Sequence, residues 1–178
     1  MNYIKLKFNI ILLYIVAFLA IIAILIQWAS KEEDVSLRPL YQVPDSIVAH
    51  FELKEKYYVV NFFASWCRAC VAEHDNLMKL RKISKAHIYG IAVNDDKQAL
   101  NNMLKKHGNP FKKVSLTFSV KNLHELELSK IPRTLVIYNN QVVYDHSGEI
   151  NATIFSKKLL PVIEKILNTE LEASGAYK

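Results

Sequence analysis

Residues 57–70 read YYVVNFFASWCRAC, and this stretch decides the fold that we expect for the chain. The run Tyr57–Phe63 is β-branched and aromatic without interruption, which predicts a buried strand. From Cys67 onward, apolar residues recur at helical spacing, which predicts a helix to about Lys85. Cys67 and Cys70 therefore lie where a buried strand gives way to a helix.

The pair Cys67 and Cys70 suits dithiol–disulfide exchange. A thiolate is the attacking species, and the free N–H groups and dipole of a helix start favour negative charge. We therefore expect Cys67 to be the attacking thiol, with a lowered pKa, and Cys70 to resolve the mixed disulfide from one turn later. Trp66 is expected to shield one side of the site, and Arg68 and Ala69 to tune its redox potential.

Other uses of the two cysteines fit their setting less well. Two cysteines are too few for a structural disulfide framework or a closed zinc site. The alternatives are incidental burial, or half a metal site completed by His74. The strand before the pair and the helix after it favour the redox role. We predict an enzyme whose redox centre is the Cys67–Cys70 disulfide, with no metal and no other cofactor.

The remaining pattern alternates strands and helices. Strands are predicted at His87–Val93, Val114–Phe118, Thr134–Tyr138 and Val142–His146, and helices at Lys97–Lys106, at Asn122–Leu128 and from Asn151 or Thr153 onward. Strand–helix–strand order implies parallel pairing, whereas Asn139 and Asn140 signal a hairpin. Pro161 either kinks the last helix or starts a shortened one. We predict an α/β fold, with a central mixed sheet and helices on both faces.

A second element is the segment Ile131–Pro132–Arg133, directly before a predicted strand. Proline cannot donate to a sheet, so a cis bond before Pro132 is one explanation and an ordinary trans proline at a strand start is the other. A cis bond would turn the backbone of Ile131 toward the cysteines, where it can pair with an extended substrate. Arg133 would then project near the mouth of the site, and its charge would favour the Cys67 thiolate.

The amino-terminal segment is long and apolar. No charge occurs from Ile10 to Ile26, and with its neighbours as far as Trp28 this run suits a helix crossing a hydrocarbon core of roughly 30 Å. Lys5 and Lys7 precede it, which predicts a cytoplasmic amino terminus. A cleaved signal peptide is the alternative, but its apolar run is usually shorter and ends in small residues. Both interpretations place the rest of the chain outside the cytoplasm.

The composition is typical of a globular protein, with 51% hydrophobic and 22% charged residues. The net charge of +6 is spread along the chain without a block of like charge, so we expect a solvated surface and no nucleic-acid partner. The predicted organisation is an anchor at residues 1–30, a linker and irregular start at 31–56, the α/β domain at 57–170 and a tail at 171–178.

The motifs WCRAC and IPRT resemble the thioredoxin superfamily, which implies a thioredoxin-like fold. The segments CVAEH, GIAVNDDKQAL and HGNPF narrow the match, and the chain resembles the cytochrome c biogenesis thiol:disulfide interchange proteins, the CcmG/DsbE family. The resemblance covers about Tyr57 to Leu160. It implies anchoring in the bacterial inner membrane with the catalytic domain in the periplasm. It also implies reduction of the haem-attachment cysteines of apocytochrome c, with electrons from a membrane thiol transporter.

The resemblance also assigns residues. Pro132 matches the cis-proline of the family, Glu73 an acidic residue near the cysteines, and Asn61 the asparagine that the family tends to have before them. A buried Glu73 would accept the proton of Cys70, whereas an exposed one would only suit the first turn of a helix. Arg133 departs from the acidic residue that is usual after the cis-proline, which concerns partner specificity and the redox potential.

Three other functions compete with cytochrome c maturation. A general periplasmic disulfide oxidase or isomerase has the same motifs, because the direction of exchange depends on the potential of the compartment. A copper chaperone would use the two soft thiolates with a histidine. A membrane-tethered scaffold with an inert cysteine pair predicts no phenotype for Cys67→Ser.

Overall fold

The computed structural model of the protein describes residues 2–29, 35–116 and 127–175, and within 2–29 it describes the side chains of 13–25 and 27. The chain divides into two compact units, Met1–Asp34 and Val35–Lys178. The first contains helix α1 (Asn2–Ala29). Among the described residues, no helix combines the length and the apolar character needed to cross a membrane. The membrane anchor expected at residues 1–30 therefore stays a prediction.

The second unit is built on one mixed sheet, with six strands in its described part. They are β1 (Tyr41–Gln42), β2 (Tyr57–Phe63), β3 (Ile88–Ala92), β4 (Lys113–Ser115), β5 (Arg133–Tyr138) and β6 (Gln141–Ser147), in the order β1-β6-β5-β2-β3-β4. Strands β2, β3 and β4 are parallel, and the other pairings are antiparallel. The central strand β2 has the bounds that the sequence predicts.

Strand β2 is apolar along its length because both of its faces are covered. Successive side chains of a strand point to opposite faces. Val59 and Phe63 belong to one buried cluster, and Val60 and Phe62 to another. A strand buried on both faces is a continuous apolar run rather than an alternating one. Asn61 is the polar exception, and it is fully buried.

Helices cover both faces of the sheet. They are α2 (Asp45–Phe51), α3 (Arg68–Ser84), α4 (Lys97–His107), the short α5 (Ala152–Ile154) and α6 (Leu160–Ala173). Apolar residues of α3, α4 and α6 contribute to the cluster that contains the cysteines, and those of α2 to the cluster on the other face. The α/β fold with a central mixed sheet is confirmed.

Within the linker and irregular start expected at 31–56, the described residues contain a short strand and a short helix. Strand β1 pairs with β6 through Tyr41 and Val142, and Ile47 and Phe51 of α2 are buried against the sheet. The second unit accordingly begins at Val35. A two-residue strand and a seven-residue helix are too short to produce a periodic pattern, which is why the sequence did not predict them. The helix predicted at Asn122–Leu128 and the end of the strand predicted to Phe118 lie largely outside the described residues.

The last predicted helix is divided. Asn151 caps its start, since its Oδ1 accepts from the backbone N–H of Ile154 at 3.0 Å. A π-helical stretch, Phe155–Leu159, then separates α5 from α6. Pro161 lies in the first turn of α6, where its missing N–H is best tolerated. The helical residues run without a break from Ala152 to Ala173, so the helix is not shortened, and the π-helical stretch lies directly before the turn that contains Pro161.

Candidate active site

Cys67 and Cys70 form a disulfide at the start of α3, with their Cα atoms 5.2 Å apart. Cys67 is the N-cap residue of the helix, and its Sγ accepts from the backbone N–H of Cys70 at 3.2 Å. Cys67 is 8% exposed and Cys70 2%, so Cys67 is the more accessible sulfur, as expected. The helix start therefore supplies N–H groups to the sulfur that a substrate can reach.

The turn before Cys67 is held by the segment after β3. The Asp95 carboxylate accepts from the Ser65 backbone N–H at 2.6 Å and from the Ser65 hydroxyl at 2.5 Å. Trp66 donates its indole N–H to the Asn94 carbonyl at 3.0 Å and stays 63% exposed. The indole is therefore held in place beside Cys67 and is largely open to solvent.

Glu73 lies one turn after Cys70 on α3 and is fully buried. Its Oε1 accepts from Asn61 Nδ2 and its Oε2 from the backbone N–H of Ile150, both at 2.9 Å. Burial raises the pKa of Glu73 to about 7, although the hydrogen bonds from Ile150 and Asn61 oppose this. The surface alternative for Glu73 is therefore wrong, and its carboxyl group titrates near neutral pH.

Asn61 connects Glu73 to strand β5. Besides Glu73, its Nδ2 donates to Thr134 Oγ1 at 3.0 Å. Its Oδ1 has no hydrogen-bond partner among the described residues. If the amide turns over, Oδ1 can accept from a protonated Glu73, so the network suits both protonation states. Nothing in the sequence pointed to Thr134, because threonine in a strand is ordinary and the pairing of β2 with β5 is what places it opposite Asn61.

The segment Ile131–Pro132 lies at the end of the sheet where Cys67 follows β2. The peptide bond between the two residues is cis, so this prediction is confirmed. Strand β5 starts with Arg133 opposite Phe62, which places the preceding residues beyond the end of β2. Ile131 packs against the cluster that contains both cysteines. The Pro132 carbonyl accepts from the Gly148 N–H at 2.8 Å.

Arg133 does not have the position that we expected. Alternation along β5 sends Thr134 toward Glu73 and α3, so Arg133 points to the opposite face of the sheet. There its Nε and Nη2 donate to the two carboxylate oxygens of Asp145 at 2.9 and 2.7 Å. Burial opposes ionisation of Asp145, but the hydrogen bonds from Arg133 and Tyr41 together with the charge of Arg133 outweigh it and lower the pKa of that carboxyl. The charge of Arg133 is therefore balanced by Asp145, on the face of the sheet opposite the cysteine pair.

His74 is buried beside Glu73 but faces another element. Its Nε2 lies 2.7 Å from the Gly108 carbonyl, and its ring stands against Phe111. Burial lowers the pKa of His74, so the ring is neutral and donates to that carbonyl. The AEH and HGNPF motifs therefore meet in space, and His74 joins α3 to the end of α4.

The Redoxin family profile matches residues 40–158. The thiol:disulfide interchange protein DsbE of Escherichia coli strain K12 is 32% identical over 113 residues, which cover 62% of this chain and 60% of that protein. A DsbE homolog of Paracoccus denitrificans is 29% identical over 113 residues, or 63% of this chain and 62% of the homolog. The matched part thus spans about three fifths of these relatives.

Solved structures share the fold. A secreted Mycobacterium tuberculosis disulfide oxidoreductase, described as homologous to E. coli DsbE, superposes with a TM-score of 0.54 at 19% identity, over 64% of this chain and 85% of that one. At this identity the superposition supports the thioredoxin-like fold alone. The family match, the relatives and a cysteine pair at disulfide distance support thiol–disulfide exchange as the chemistry. The chain belongs to the Redoxin family and is similar to the DsbE proteins of the thioredoxin superfamily.

Proposed function

We propose that this protein is a membrane-anchored periplasmic thiol:disulfide oxidoreductase that reduces the haem-attachment cysteines of apocytochrome c during cytochrome c maturation. The observation that carries the proposal is the Cys67–Cys70 disulfide at the start of α3, with the more accessible sulfur at the helix cap. The similarity to DsbE proteins supports the choice of pathway.

The exchange reaction uses the two cysteines in order. The Cys67 thiolate attacks one sulfur of the substrate disulfide, whose S–S bond breaks to leave a mixed disulfide and one substrate thiolate. The Cys70 thiolate then attacks Cys67 Sγ, which closes the Cys67–Cys70 disulfide and releases the second substrate thiolate. Two electrons pass from the protein to the substrate. We propose that a membrane thiol transporter returns them, and that no metal or other cofactor takes part.

Glu73 suits the second step. Residues three apart on a helix are neighbours, so Glu73 follows Cys70 on the same side of α3. A buried carboxyl group whose pKa is about 7 can accept the proton of Cys70 and later release it. Asn61 keeps the group hydrogen-bonded in both states, as described above. We therefore assign the catalytic steps to Cys67, Cys70 and Glu73, and substrate contact to Trp66 and the Ile131–Pro132 backbone.

Trapping of the substrate tests the function. A Cys70→Ser variant of the full chain cannot resolve a mixed disulfide, so it should hold apocytochrome c on Cys67, and mass spectrometry of the trapped species would identify it. A variant with both Cys67→Ser and Cys70→Ser is the matched control and should trap nothing. Capture of many unrelated exported proteins would instead indicate a general oxidoreductase.

A metal titration distinguishes the proposed oxidoreductase from a copper chaperone. The reduced full chain should bind Cu(I) no more tightly than a short peptide with the same two cysteines, because two thiolates alone do not complete a buried site. Tighter binding, lost in His74→Ala, would favour the chaperone.

The proposed anchor is tested by amino-terminal sequencing of the mature protein. An intact amino terminus in the membrane fraction is expected, and a mature protein that starts near Ser30 would contradict the anchor.

A further inference from the structure

The starting observation is a partly buried polar cluster on the face of the sheet opposite helix α3. It consists of Arg133, Asp145 and Tyr41, and we call it the arginine cluster. The Tyr41 hydroxyl donates to Asp145 Oδ2 at 2.8 Å, and Arg133 Nη2 donates to the Tyr41 hydroxyl oxygen at 3.1 Å. The Arg133 side chain is 12% exposed and that of Asp145 21%. The cluster thus joins strands β5, β6 and β1.

We propose that the arginine cluster is a positioning device for the substrate-binding segment Ile131–Pro132. This inference rests on the proposed function, since it assigns residues to the step in which the backbone of that segment pairs with a substrate. Arg133, Asp145 and Tyr41 do not touch the reacting sulfurs. They act through the backbone that follows Pro132.

Contacts on three consecutive residues fix the start of β5. The Pro132 carbonyl accepts a hydrogen bond from the Gly148 N–H. Thr134 Oγ1 accepts from Asn61 Nδ2 on the face of the sheet that carries the cysteines. Arg133, which lies between them, donates to both carboxylate oxygens of Asp145 on the opposite face of the sheet. Hydrogen bonds on opposite faces stop the strand from rolling about its axis. The segment in front of it is therefore presented to a substrate in one orientation.

The geometry of the cluster favours positioning over simple stabilisation. A guanidinium and a carboxylate that meet in a fork allow only one relative orientation. A buried ion pair adds little net stability compared with apolar residues of the same volume, so stability alone is a weak reason to have one. Tyr41 adds a second fixed point, because its hydroxyl donates to Asp145 while its backbone lies opposite Val142 of β6.

The test compares two substrates of the reduced full chain. One is a synthetic peptide that contains an oxidised Cys-Ala-Ala-Cys-His sequence, and the other is dithiobis(nitrobenzoate), which is too small to use the backbone of Ile131. We expect Asp145→Asn and Tyr41→Phe to lower the ratio of the peptide rate to the small-disulfide rate, by about tenfold and about threefold, through a higher KM for the peptide. Lys112→Met breaks an exposed ion pair with Glu55 elsewhere and should leave the ratio unchanged.

A charge swap separates positioning from damage to the fold. The double variant with Arg133→Asp and Asp145→Arg restores opposite charges, and it should recover at least part of the ratio that Asp145→Asn loses. Tyr41→Phe removes a single hydroxyl and gives a result even if larger changes unfold the protein. An unchanged ratio in Asp145→Asn and Tyr41→Phe, or equal loss with both substrates, would overturn the inference. Failure of the unaltered protein to react with either disulfide would instead contradict the proposed function.

Discussion

Two carboxyl groups flank the start of β5 on opposite faces of the sheet, and they behave differently. Glu73 on the cysteine side is buried and has only neutral hydrogen-bond donors, Asn61 and the Ile150 backbone. Asp145 on the other side meets the Arg133 guanidinium. Burial raises the pKa of Glu73 to about 7, whereas the hydrogen bonds from Arg133 and Tyr41 together with the Arg133 charge overcome the burial of Asp145 and lower its pKa.

The difference shows how one chemical group serves two purposes. Because no cation among the described residues faces Glu73, desolvation makes its charged and neutral forms similar in free energy near neutral pH. The group can therefore take up and release a proton. With a guanidinium in a fork, Asp145 stays ionised and serves as a fixed link. Four experiments test this difference between the two carboxyl groups, in order of decreasing expected effect.

The largest effect is on the pH dependence of stability through Glu73. Its pKa is higher in the folded than in the unfolded protein, so the folded state binds more protons between about pH 4.5 and 7 and its stability falls as the pH rises. Denaturant unfolding of the oxidised full chain should show that Glu73→Gln, relative to the unaltered protein, gains about 3 kcal/mol across this range. The difference between the proteins is needed because His74, whose pKa is lowered, contributes a slope of opposite sign.

The exposed Glu149 provides the matched control for this measurement. Glu149→Gln removes a neighbouring charge that raises the pKa of Glu73, so it should shift the slope to lower pH but not remove it. If the curves of the unaltered protein and Glu73→Gln run parallel from pH 4 to 8, Glu73 does not titrate in this range.

The second effect is the loss of stability when the ion pair between Arg133 and Asp145 is broken. Asp145→Asn leaves the Arg133 guanidinium nearly buried beside a neutral partner, which should lower the free energy of unfolding by about 2 kcal/mol. The lowered pKa of Asp145 means that its stabilisation is present above about pH 4 and is lost as the pH falls through the folded pKa. The loss should therefore be constant from pH 5 to 8, unlike that of Glu73.

Lys56→Met is the control for the second experiment. It breaks the exposed pair of Lys56 with Glu170, whose charged atoms are 3.7 Å apart, and should cost below about 0.5 kcal/mol. A loss in Asp145→Asn that is no larger than this would show that the arginine cluster is solvated and flexible.

The third effect is smaller and concerns Thr134. Thr134→Val keeps the shape of the side chain but removes one acceptor of Asn61 Nδ2, which still donates to Glu73. We expect the free energy of unfolding to fall by about 1 kcal/mol in a urea titration. A loss as large as that of Asp145→Asn would mean that the two faces hold the strand equally and would weaken the contrast.

The smallest effect concerns which arginine stabilises the Cys67 thiolate. Arg68 is exposed in the first turn of α3, whereas Arg133 is paired on the other face. Arg68→Met should slow alkylation of Cys67 in the reduced protein by about twofold to threefold near pH 6, since it removes a neighbouring positive charge. Arg133→Met should slow it less. The opposite order would restore the expectation that Arg133 acts at the mouth.

Local features of the sequence were enough to predict two of the elements that carry the chemistry. Strand β2 and the helix that starts after Cys67 depend on near neighbours, through apolar periodicity and a helix start. For the bond before Pro132 the residues alone left cis and trans open, and the structure shows the cis form. The family resemblance added Glu73 and Asn61 as candidates. Their positions in the structure agree with that assignment, and their catalytic roles stay predictions.

The surroundings of each polar group, in contrast, depend on how distant parts of the chain pack together. Alternation puts Arg133 and Thr134 on opposite faces, but which face carries the cysteines depends on the order of the strands and on where α3 packs. Tyr41 and Asp145 are 104 residues apart, and no spacing in the sequence brings them together. The charge of Arg133 and the burial of Glu73 were therefore set by partners from distant strands, since the pKa of a group follows its surroundings in space rather than its neighbours along the chain.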